Sequence, residues 1–554
     1  MPKDFFRKSL SLLLQRQTNI LSAAIVIMAT VVFSQVLGLI RQRLLVSIFG
    51  ASDTLGVYLA SNKLPDLLFQ LIIAGALSSA FIPVFSDFLT KGKEKEGYKM
   101  ASTVLALGCV LFFFFAVILF LFAPFFLQIL NIGSGFTPHQ TELMANLVRI
   151  VIIGQILFII GTFFSVLLQS YNHFFIPGFA AALYNLGVIL GIVILHPMLG
   201  IYSPAYGSIL GALFFILFQL PLVKKIGFIF SPSLNWNIDG VKTVMVLMWP
   251  RTLSLAVFQM GTVATVALFS FLSSSGRNYV IFDYAQTLAY APIGLIGQTI
   301  AQAAFPVLSR ERERLDDFKT TFLTSFTQVL YLILPISVLL LVLRIPIVRL
   351  VYGTGQFDWV ATVLTGRTLA LLTFSIFSQA LTYLVARGFY AIHNTKTPLI
   401  IGALTTVLMV GIAAVLVLVY KSGIQGIAIA YSVSSIINIV LLFIFLDVKI
   451  GGFARKSLFL SMGKIVIATI CMGIALYIPI KLLDQLVFDT TKTINLLLLT
   501  GISSIAGLTI YVFLTWLLNV REAMTFILLF KKVGNWKEIL EKSNESIDNA
   551  RFNP

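Results

Sequence analysis

Two short segments, AFIPVFS at residues 80–86 and AAFPVLS at residues 303–309, are near-copies of each other, and each ends a long apolar stretch. Their prolines, Pro83 and Pro306, lie about 222 residues apart. Two further landmark pairs keep this separation and the same order: Pro177 with Pro398, and Gly200 with Gly423. The sequence therefore predicts an internal duplication. Transporters are often built from such repeats, with the substrate site between the two copies.

The composition predicts a membrane protein. Hydrophobic residues make up 58% of the 554 residues, charged residues make up 11%, and the mean hydropathy is +0.97. A soluble core with a wettable surface does not accommodate this composition. Apolar runs of about 20 residues, enough to cross about 30 Å of hydrocarbon, follow one another with short polar breaks. We predict an all-α polytopic membrane protein with about fourteen transmembrane helices, at residues 20–47, 56–88, 99–130, 143–170, 177–196, 204–223, 243–273, 280–308, 320–344, 361–389, 398–420, 424–447, 459–482 and 494–519.

The formal net charge is +17, and the distribution of the cations along the chain indicates the membrane topology. Cations precede the first span and follow the second, sixth, eighth and twelfth spans: Lys3, Arg7, Lys8, Arg16, Lys91, Lys93, Lys95, Lys99, Lys224, Lys225, Arg310, Arg312, Arg314, Arg455 and Lys456. These loops share one side of the membrane, so the positive-inside rule places both termini in the cytoplasm. Residues 1–19 are predicted to be an amphipathic leader on the inner surface, with no cleavable signal. This charge pattern favours membrane over nucleic acid as the partner.

Groups that could carry enzymatic or metal chemistry are scattered. Cys109 and Cys471 both sit in apolar runs, and the four histidines are spread over loops and helix ends. A membrane enzyme acting on a lipid phosphate needs gathered carboxylates or a His-Asp pair. Asp316 and Asp317 come closest, but their mixed-charge surroundings are typical of a solvated loop. The sequence therefore predicts no enzyme, no cofactor and no metal site.

Cations inside otherwise apolar stretches are the strongest functional candidates. Each would cost about 2.5–3.5 kcal/mol at mid-membrane if it faced lipid, so these side chains should face water or an anion. Arg43 and Arg387 lie near predicted span ends, where their side chains can reach the interface. Arg41 and Arg251 lie in the first span of each repeat and are predicted to face a shared cavity. Arginine suits phosphate there because its planar fork donates bidentate hydrogen bonds at any relevant pH.

Lys63 and several polar residues are open to two interpretations each. Pro65 interrupts the backbone hydrogen bonds beside Lys63, and Asp66 lies one helical turn away, so Lys63 could make a local ion pair or contact a ligand. The polar residues could line a wet cavity or hydrogen bond between packed helices. These candidate lining residues are Gln35, Gln42, Gln286 and Thr287.

Eight segments, in this order along the chain, carry a specific pattern: residues 34–52, 62–68, 74–89, 170–185, 249–259, 283–310, 346–358 and 386–398. Together these segments resemble the MurJ/MviN family of lipid II flippases. The resemblance implies the fold of the multidrug/oligosaccharidyl-lipid/polysaccharide (MOP) exporter superfamily, with two pseudo-symmetric six-helix lobes and two C-terminal helices. The implied division is an N-lobe at 20–226, a C-lobe at 242–448, two further helices at 457–519 and a cytoplasmic tail at 520–554.

The resemblance implies a function as well. The chain would move the undecaprenyl-diphosphate-linked peptidoglycan precursor, lipid II, from the inner to the outer leaflet by alternating access. The lipid-linked precursor and the bilayer would be its partners, with other cell-wall synthesis proteins as candidates, and a monomer is expected. Arg41 falls on the cavity arginine of the family. Other charged family positions are neutral here: Gln35, Gln42, Gly56, Ala74, Thr265, Thr287 and Tyr290.

These departures from the family pattern change what we expect of sodium coupling and of Arg251, and they leave alternative functions open. Thr265 stands where some members have an acid associated with sodium binding, which weakens sodium coupling, and the missing cations make Arg251 more important. An exporter of another lipid-linked glycan would share the fold and the cationic cavity. A non-transporting scaffold of wall synthesis would tolerate the lost charges. A multidrug antiporter is disfavoured because cationic drugs call for an acidic cavity.

Overall fold

The computed structural model describes residues 20–74, 77–130, 132, 135–486 and 492–524. The predicted leader at 1–19 and most of the predicted tail lie outside the described residues. The chain between them folds into nineteen described α-helices. In chain order, α1 to α10 are Ile20–Phe49, Asp53–Ser61, Lys63–Phe69, Leu77–Thr90, Glu94–Leu121, Ala123–Ile129, Pro138–Ser170, Phe175–Leu199, Ser203–Lys225 and Val241–Phe269. Helices α11 to α19 are Ser275–Pro292, Thr299–Glu311, Leu315–Val342, Arg344–Tyr352, Trp359–Ala391, Lys396–Ala414, Gly423–Lys449, Arg455–Leu486 and Thr493–Leu517.

The helices have the length and composition of membrane spans. Eleven described stretches are long and apolar enough to cross a membrane, and one of them, Phe175–Lys225, contains both α8 and α9. Two shorter apolar helices, Ala80–Thr90 and Ala256–Phe269, lie where the second and seventh spans are predicted. Every predicted apolar run coincides with one of these helices. The prediction of an all-α polytopic membrane fold is therefore confirmed.

The second predicted span, 56–88, is not one continuous helix, and its first interruption falls beside Pro65, where the sequence indicates a break in the backbone hydrogen bonds. It consists of α2, α3, a π-helical turn at Gln70–Ala74, and α4. Pro65 has no backbone N–H and sits in the first turn of α3, where that donor is not needed. A new helix therefore starts at Lys63 instead of α2 continuing.

The duplication is visible in the local backbone. A π-helical turn at Gln70–Ala74 precedes the AFIPVFS segment, and a second one at Ile293–Gln298 precedes AAFPVLS. In each copy the following helix, α4 or α12, carries an internal proline. A π turn adds one residue to a helical turn and is frequent at functional sites. The repeat therefore preserves a local helix defect as well as a sequence motif.

By packing, the chain forms two compact units. The first consists of Met1–Tyr284, Val351–Thr368 and Gly402–Tyr431. Within it, α8 and α9 approach so closely that a Cβ on Gly191 would lie 2.2 Å from the Cα of Gly207. Small residues that let backbones meet are typical of membrane helix pairs, which gain little from hydrophobic burial in lipid.

The second unit consists of Ala285–Leu350, Leu369–Ile401 and Ser432–Pro554. Its core includes an apolar cluster in which α18 and α19 pack against α13, around Met472 and Leu476. The hydroxyl of Tyr511 donates a hydrogen bond of 2.7 Å to the carbonyl of Tyr331. A buried phenol needs such a partner, so this bond fixes α19 on α13 in a specific register.

Candidate functional site

Helix α1 positions Arg41 by packing against α8. A Cβ on Gly178 would lie 2.2 Å from Oγ1 of Thr30, and the amide of Asn185 donates to the carbonyl of Ser34 at 3.2 Å. Arg41 follows two turns later and is half-buried. Its guanidinium acts electrostatically on the Asp66 carboxyl, so a carboxylate contributes to the surroundings of Arg41.

The ammonium group of Lys63 pairs with a carboxylate from another helix. Nζ of Lys63 lies 3.7 Å from Oδ1 of Asp283, which belongs to α11, and the two side chains are 25% and 20% exposed. Nζ also lies 5.8 Å from the centre of the Tyr279 ring, within range of a cation–π interaction. Of the two interpretations of Lys63, the structure contains an ion pair, but its closest described partner is Asp283 rather than Asp66.

Asp66 is held by α7 instead. Nε2 of Gln155 donates to Oδ1 of Asp66 at 2.7 Å, while Oε1 of Gln155 is buried and has no hydrogen-bond partner within the described part of the chain. Helix α7 starts at a capping box in which Thr137 and Gln140 each bond the other's backbone N–H. This start fixes the helix that carries Gln155.

Arg41, Lys63, Asp66 and Asp283 form what we call the charge cluster. Its members come from α1, α3 and α11, all within the first unit, and each member except Arg41 has an oppositely charged or polar contact to a named neighbour. Two cations and two carboxylates have a formal charge of zero. The cluster can therefore exist without a ligand, and it can offer cations to an anion that replaces its carboxylates.

Gln42 takes part in packing. Its side-chain Oε1 accepts a hydrogen bond from the hydroxyl of Tyr352 at 3.0 Å, and its carbonyl accepts one from Tyr284 at 3.4 Å. The rings of the two tyrosines are 4.7 Å apart. These bonds match the helix-packing interpretation of Gln42. Next to it, Nη1 of the exposed Arg43 donates to the carbonyl of Val351 at 3.3 Å.

The structure leaves the remaining candidates outside the charge cluster. Gln35 is exposed on α1, and Gln286 and Thr287 are half-buried residues of the second unit. Arg251 falls within α10, but its side chain lies outside what the structure describes. In the second unit, the guanidinium of Arg387 lies 5.2 Å from the centre of the Phe305 ring.

A second charged arrangement lies near the first residue of α11. Nη2 of Arg277 contacts both carboxylate oxygens of Asp358, at 2.9 and 2.8 Å, and the backbone N–H of Arg277 donates to Oδ1 of Asp53 at 2.8 Å. Ala361 also donates its N–H to Asp358 at 2.6 Å. We call Asp53, Arg277 and Asp358 the end latch. The Arg277 guanidinium lowers the pKa of the Asp358 carboxyl; partial burial opposes this, and the Ala361 N–H reinforces it.

Beside the end latch, α2 and α11 meet backbone to backbone. A Cβ on Gly56 would lie 2.2 Å from the Cα of Gly276, and a Cβ on Gly276 would lie 2.5 Å from the carbonyl oxygen of Asp53. No side chain fits at either position. This explains physically why Gly56 stands where the family resemblance leads one to expect an aspartate.

Sequence reasoning missed Asp283, Gln155 and the end latch. The acid at 283 sits in a run whose neighbours are mostly apolar, and an intramembrane acid is a functional signal of the same kind as the cations. The pairing of residues 277 and 358 has no local sequence pattern. Among the described residues, no three or more His, Cys, Asp or Glu side chains are placed to hold a metal ion.

Solved structures with a similar arrangement of helices are transporters. One described as lipid II flippase MurJ in an inward closed conformation has a TM-score of 0.71 and 23% identity, covering 88% of this chain and 98% of that one. An inward-facing multidrug resistance MATE family transporter of the MOP superfamily has a TM-score of 0.63 and 16% identity, covering 77% of this chain and 98% of that one. These likenesses define the class by fold: a polytopic helical membrane protein whose helices are arranged as in these two transporters.

The family described as lipid II flippase MurJ matches residues 45–495. The chain belongs to this family, which confirms the resemblance. A relative from Buchnera aphidicola subsp. Acyrthosiphon pisum is 27% identical over 512 residues, covering 91% of this chain and 98% of the relative. One from Thermotoga maritima is 28% identical over 491 residues, covering 88% and 95%. Both relatives are named probable lipid II flippase MurJ.

Proposed function

We propose that this protein is a lipid II flippase, which moves the undecaprenyl-diphosphate-linked peptidoglycan precursor from the inner to the outer leaflet. The observation that carries the proposal is membership of the MurJ family over residues 45–495. The charge cluster supports it, since Arg41 and Lys63 are half-buried cations within an apolar bundle. A transporter has no reacting bond to catalyse, so we propose no enzymatic role.

The diphosphate is the part of the substrate that the cations recognise. An anionic head group crosses hydrocarbon slowly because its charge is strongly destabilised at low dielectric constant. Arg41 offers a planar guanidinium for bidentate hydrogen bonds, and Lys63 offers a mobile point charge. Alternating access then exposes the bound head group to the other leaflet, while the polyprenyl chain stays in apolar surroundings.

The arrangement in the membrane is part of the proposal. We infer two six-helix lobes at 20–226 and 242–448, two further helices at 457–519, and both termini in the cytoplasm of a bacterial inner membrane. The positive loops after even-numbered spans support this orientation. Because one chain supplies both lobes, a monomer suffices for transport, with wall-synthesis proteins as further partners.

The test is transport of fluorescent lipid II in proteoliposomes. We expect Arg41→Ala and Arg251→Ala to lose most of the transport, whereas Arg43→Ala, a matched change at an exposed arginine of the same helix, retains it. A folded wild-type protein that does not transport lipid II contradicts the proposal. Transport of a different lipid-linked glycan by that same preparation would favour the second candidate, an exporter of another wall polymer.

A further inference from the structure

We propose that Asp283 is an exchangeable counter-ion of Lys63. In the empty site the Asp283 carboxylate neutralises Lys63. The diphosphate of the bound lipid replaces this carboxylate, and the Lys63–Asp283 pair forms again when the lipid dissociates. The inference rests on the proposed function and adds a residue and a step to it. It starts from the contact of 3.7 Å between Nζ of Lys63 and Oδ1 of Asp283.

The contact is close enough for attraction and too long for a good hydrogen bond. Charge-assisted hydrogen bonds between an ammonium group and a carboxylate are about 2.7–2.9 Å long. At 3.7 Å the pair has Coulomb attraction without that directional bond. Lysine carries its charge on a flexible stem, so Lys63 can change partners without a backbone movement.

The surroundings make the empty site neutral. A lone ammonium group in a half-buried position is strongly destabilised, and a carboxylate compensates it. Asp66 is already bonded to Gln155, which leaves Asp283 as the carboxylate in closest described contact with Lys63. The Tyr279 ring, 5.8 Å from the ammonium, offers Lys63 a weak second contact during an exchange.

The exchange has a cost at binding and a benefit at release. An incoming diphosphate must outcompete a carboxylate that is already in place, so affinity is lower than the cations alone would give. When the head group faces the other leaflet, Asp283 competes for Lys63 and promotes dissociation. Removing this carboxylate should therefore tighten binding and slow turnover together.

The test measures binding and transport separately on the full-length protein. Asp283→Asn keeps the size of the side chain and removes its charge. We expect a dissociation constant for undecaprenyl diphosphate in phosphatidylcholine nanodiscs that is about two- to fivefold lower, the range of one partly exposed ion pair. In proteoliposomes we expect the maximal flipping rate of lipid II to fall by a similar factor. Asp317→Asn, which removes a surface carboxylate paired with Arg314, is the matched control and should change neither quantity.

A double-mutant cycle shows whether the effect passes through Lys63. In a Lys63→Ala background, Asp283→Asn should no longer tighten binding, because the cation it competes for is gone. Should Asp283→Asn not fold, Asp283→Glu replaces it: one added methylene brings the carboxylate nearer to Lys63, and binding should weaken.

The outcomes separate the two proposals. Weaker or unchanged diphosphate binding by a folded Asp283→Asn protein overturns the counter-ion role, as does tightening that persists without Lys63. A wild-type protein that neither binds undecaprenyl diphosphate nor flips lipid II overturns the proposed function itself.

Discussion

Helix α11 carries one member of each of two ion pairs, and the pairs are built differently. At the charge cluster, Oδ1 of Asp283 lies 3.7 Å from Nζ of Lys63. At the end latch, Arg277 contacts both oxygens of Asp358 at 2.8 and 2.9 Å, and backbone N–H groups hold the two partner acids as well. Lys63 and Asp283 form the less exposed pair, and their charged atoms lie further apart. Arg277 and Asp358 form the more exposed pair, and their charged atoms lie within hydrogen-bond distance. The end latch thus has full hydrogen-bond geometry, whereas Lys63 and Asp283 attract each other at a longer distance, as expected of a pair that exchanges with a ligand under our proposal.

The largest loss of transport is expected when the backbones of α2 and α11, which meet beside the end latch, are forced apart. A leucine at Gly56 has no space, because even its Cβ would lie 2.2 Å from the Cα of Gly276. We expect Gly56→Leu to reduce the rate of lipid II transport at least about tenfold. The added side chain holds α2 and α11 apart, and a small misplacement of functional groups is enough to lower a rate by a large factor. The measurement is initial flipping rate in proteoliposomes.

The control for this prediction is Gly402→Leu. Gly402 lies in α16, and no atom outside its own stretch of helix backbone lies within 4 Å of the position its Cβ would take. Its transport should stay near that of the wild type. Equal rates for Gly56→Leu and the wild type would show that the backbone contact has no part in transport.

Exchanging the charges within each pair tests the difference between them directly. Lys63→Asp with Asp283→Lys retains an ion pair but moves the cation onto α11. We expect transport to fall about tenfold, because the cation no longer sits where the head group meets it; one tenfold step corresponds to about 1.4 kcal/mol.

The matched exchange, Arg277→Asp with Asp358→Arg, keeps opposite charges at the end latch and the backbone N–H that bonds to Asp53, but removes the acceptor of the Ala361 N–H. Its transport should remain within about threefold of the wild type, the span of one partly exposed pair. If both exchanges reduce transport equally in proteins that elute as folded on size exclusion, the distinction between a ligand-exchanging pair and a structural pair is wrong.

The smallest expected effect is the pH dependence of the end latch. Because the pKa of Asp358 is lowered in the folded protein, its ion pair adds stability above the unfolded value of about 3.9 and loses it as the pH falls through the folded value. Asp358→Asn should lower Tm in detergent by about 1 °C between about pH 5 and 8, since the pair is half exposed. This difference should shrink as the pH falls below about 3.9 and disappear below the lowered pKa of Asp358. A difference that grows on acidification contradicts the assigned charge state.

Much of the fold was predictable because it depends on periodic and compositional signals. Apolar runs, internal proline landmarks and cation placement are local features, and they predicted the helices and the class. The break at Lys63 within the second span was only suggested, by Pro65, since proline permits either a kink or a new helix start.

The site was predictable in part. Arg41 and Lys63 stood out as cations in apolar surroundings, and the structure leaves both half-buried, with Lys63 paired to a carboxylate. The partner of Lys63 did not stand out, because Asp283 lies 220 positions along the chain and only the folded chain brings it near. For Gln42 the sequence suggested a role that packing accounts for instead. Its polarity suggested a residue that lines the cavity, but its side-chain oxygen accepts a hydrogen bond from the hydroxyl of Tyr352.

The glycine contact between α2 and α11 has a thermal consequence. Parting Gly56 from Gly276 would expose backbone and two Cα atoms but no large apolar side chain at that point. Heat-capacity changes scale with exposed apolar surface, so opening here contributes little to ΔCp. We therefore expect the free energy of separating α2 from α11 at this contact to vary only weakly with temperature.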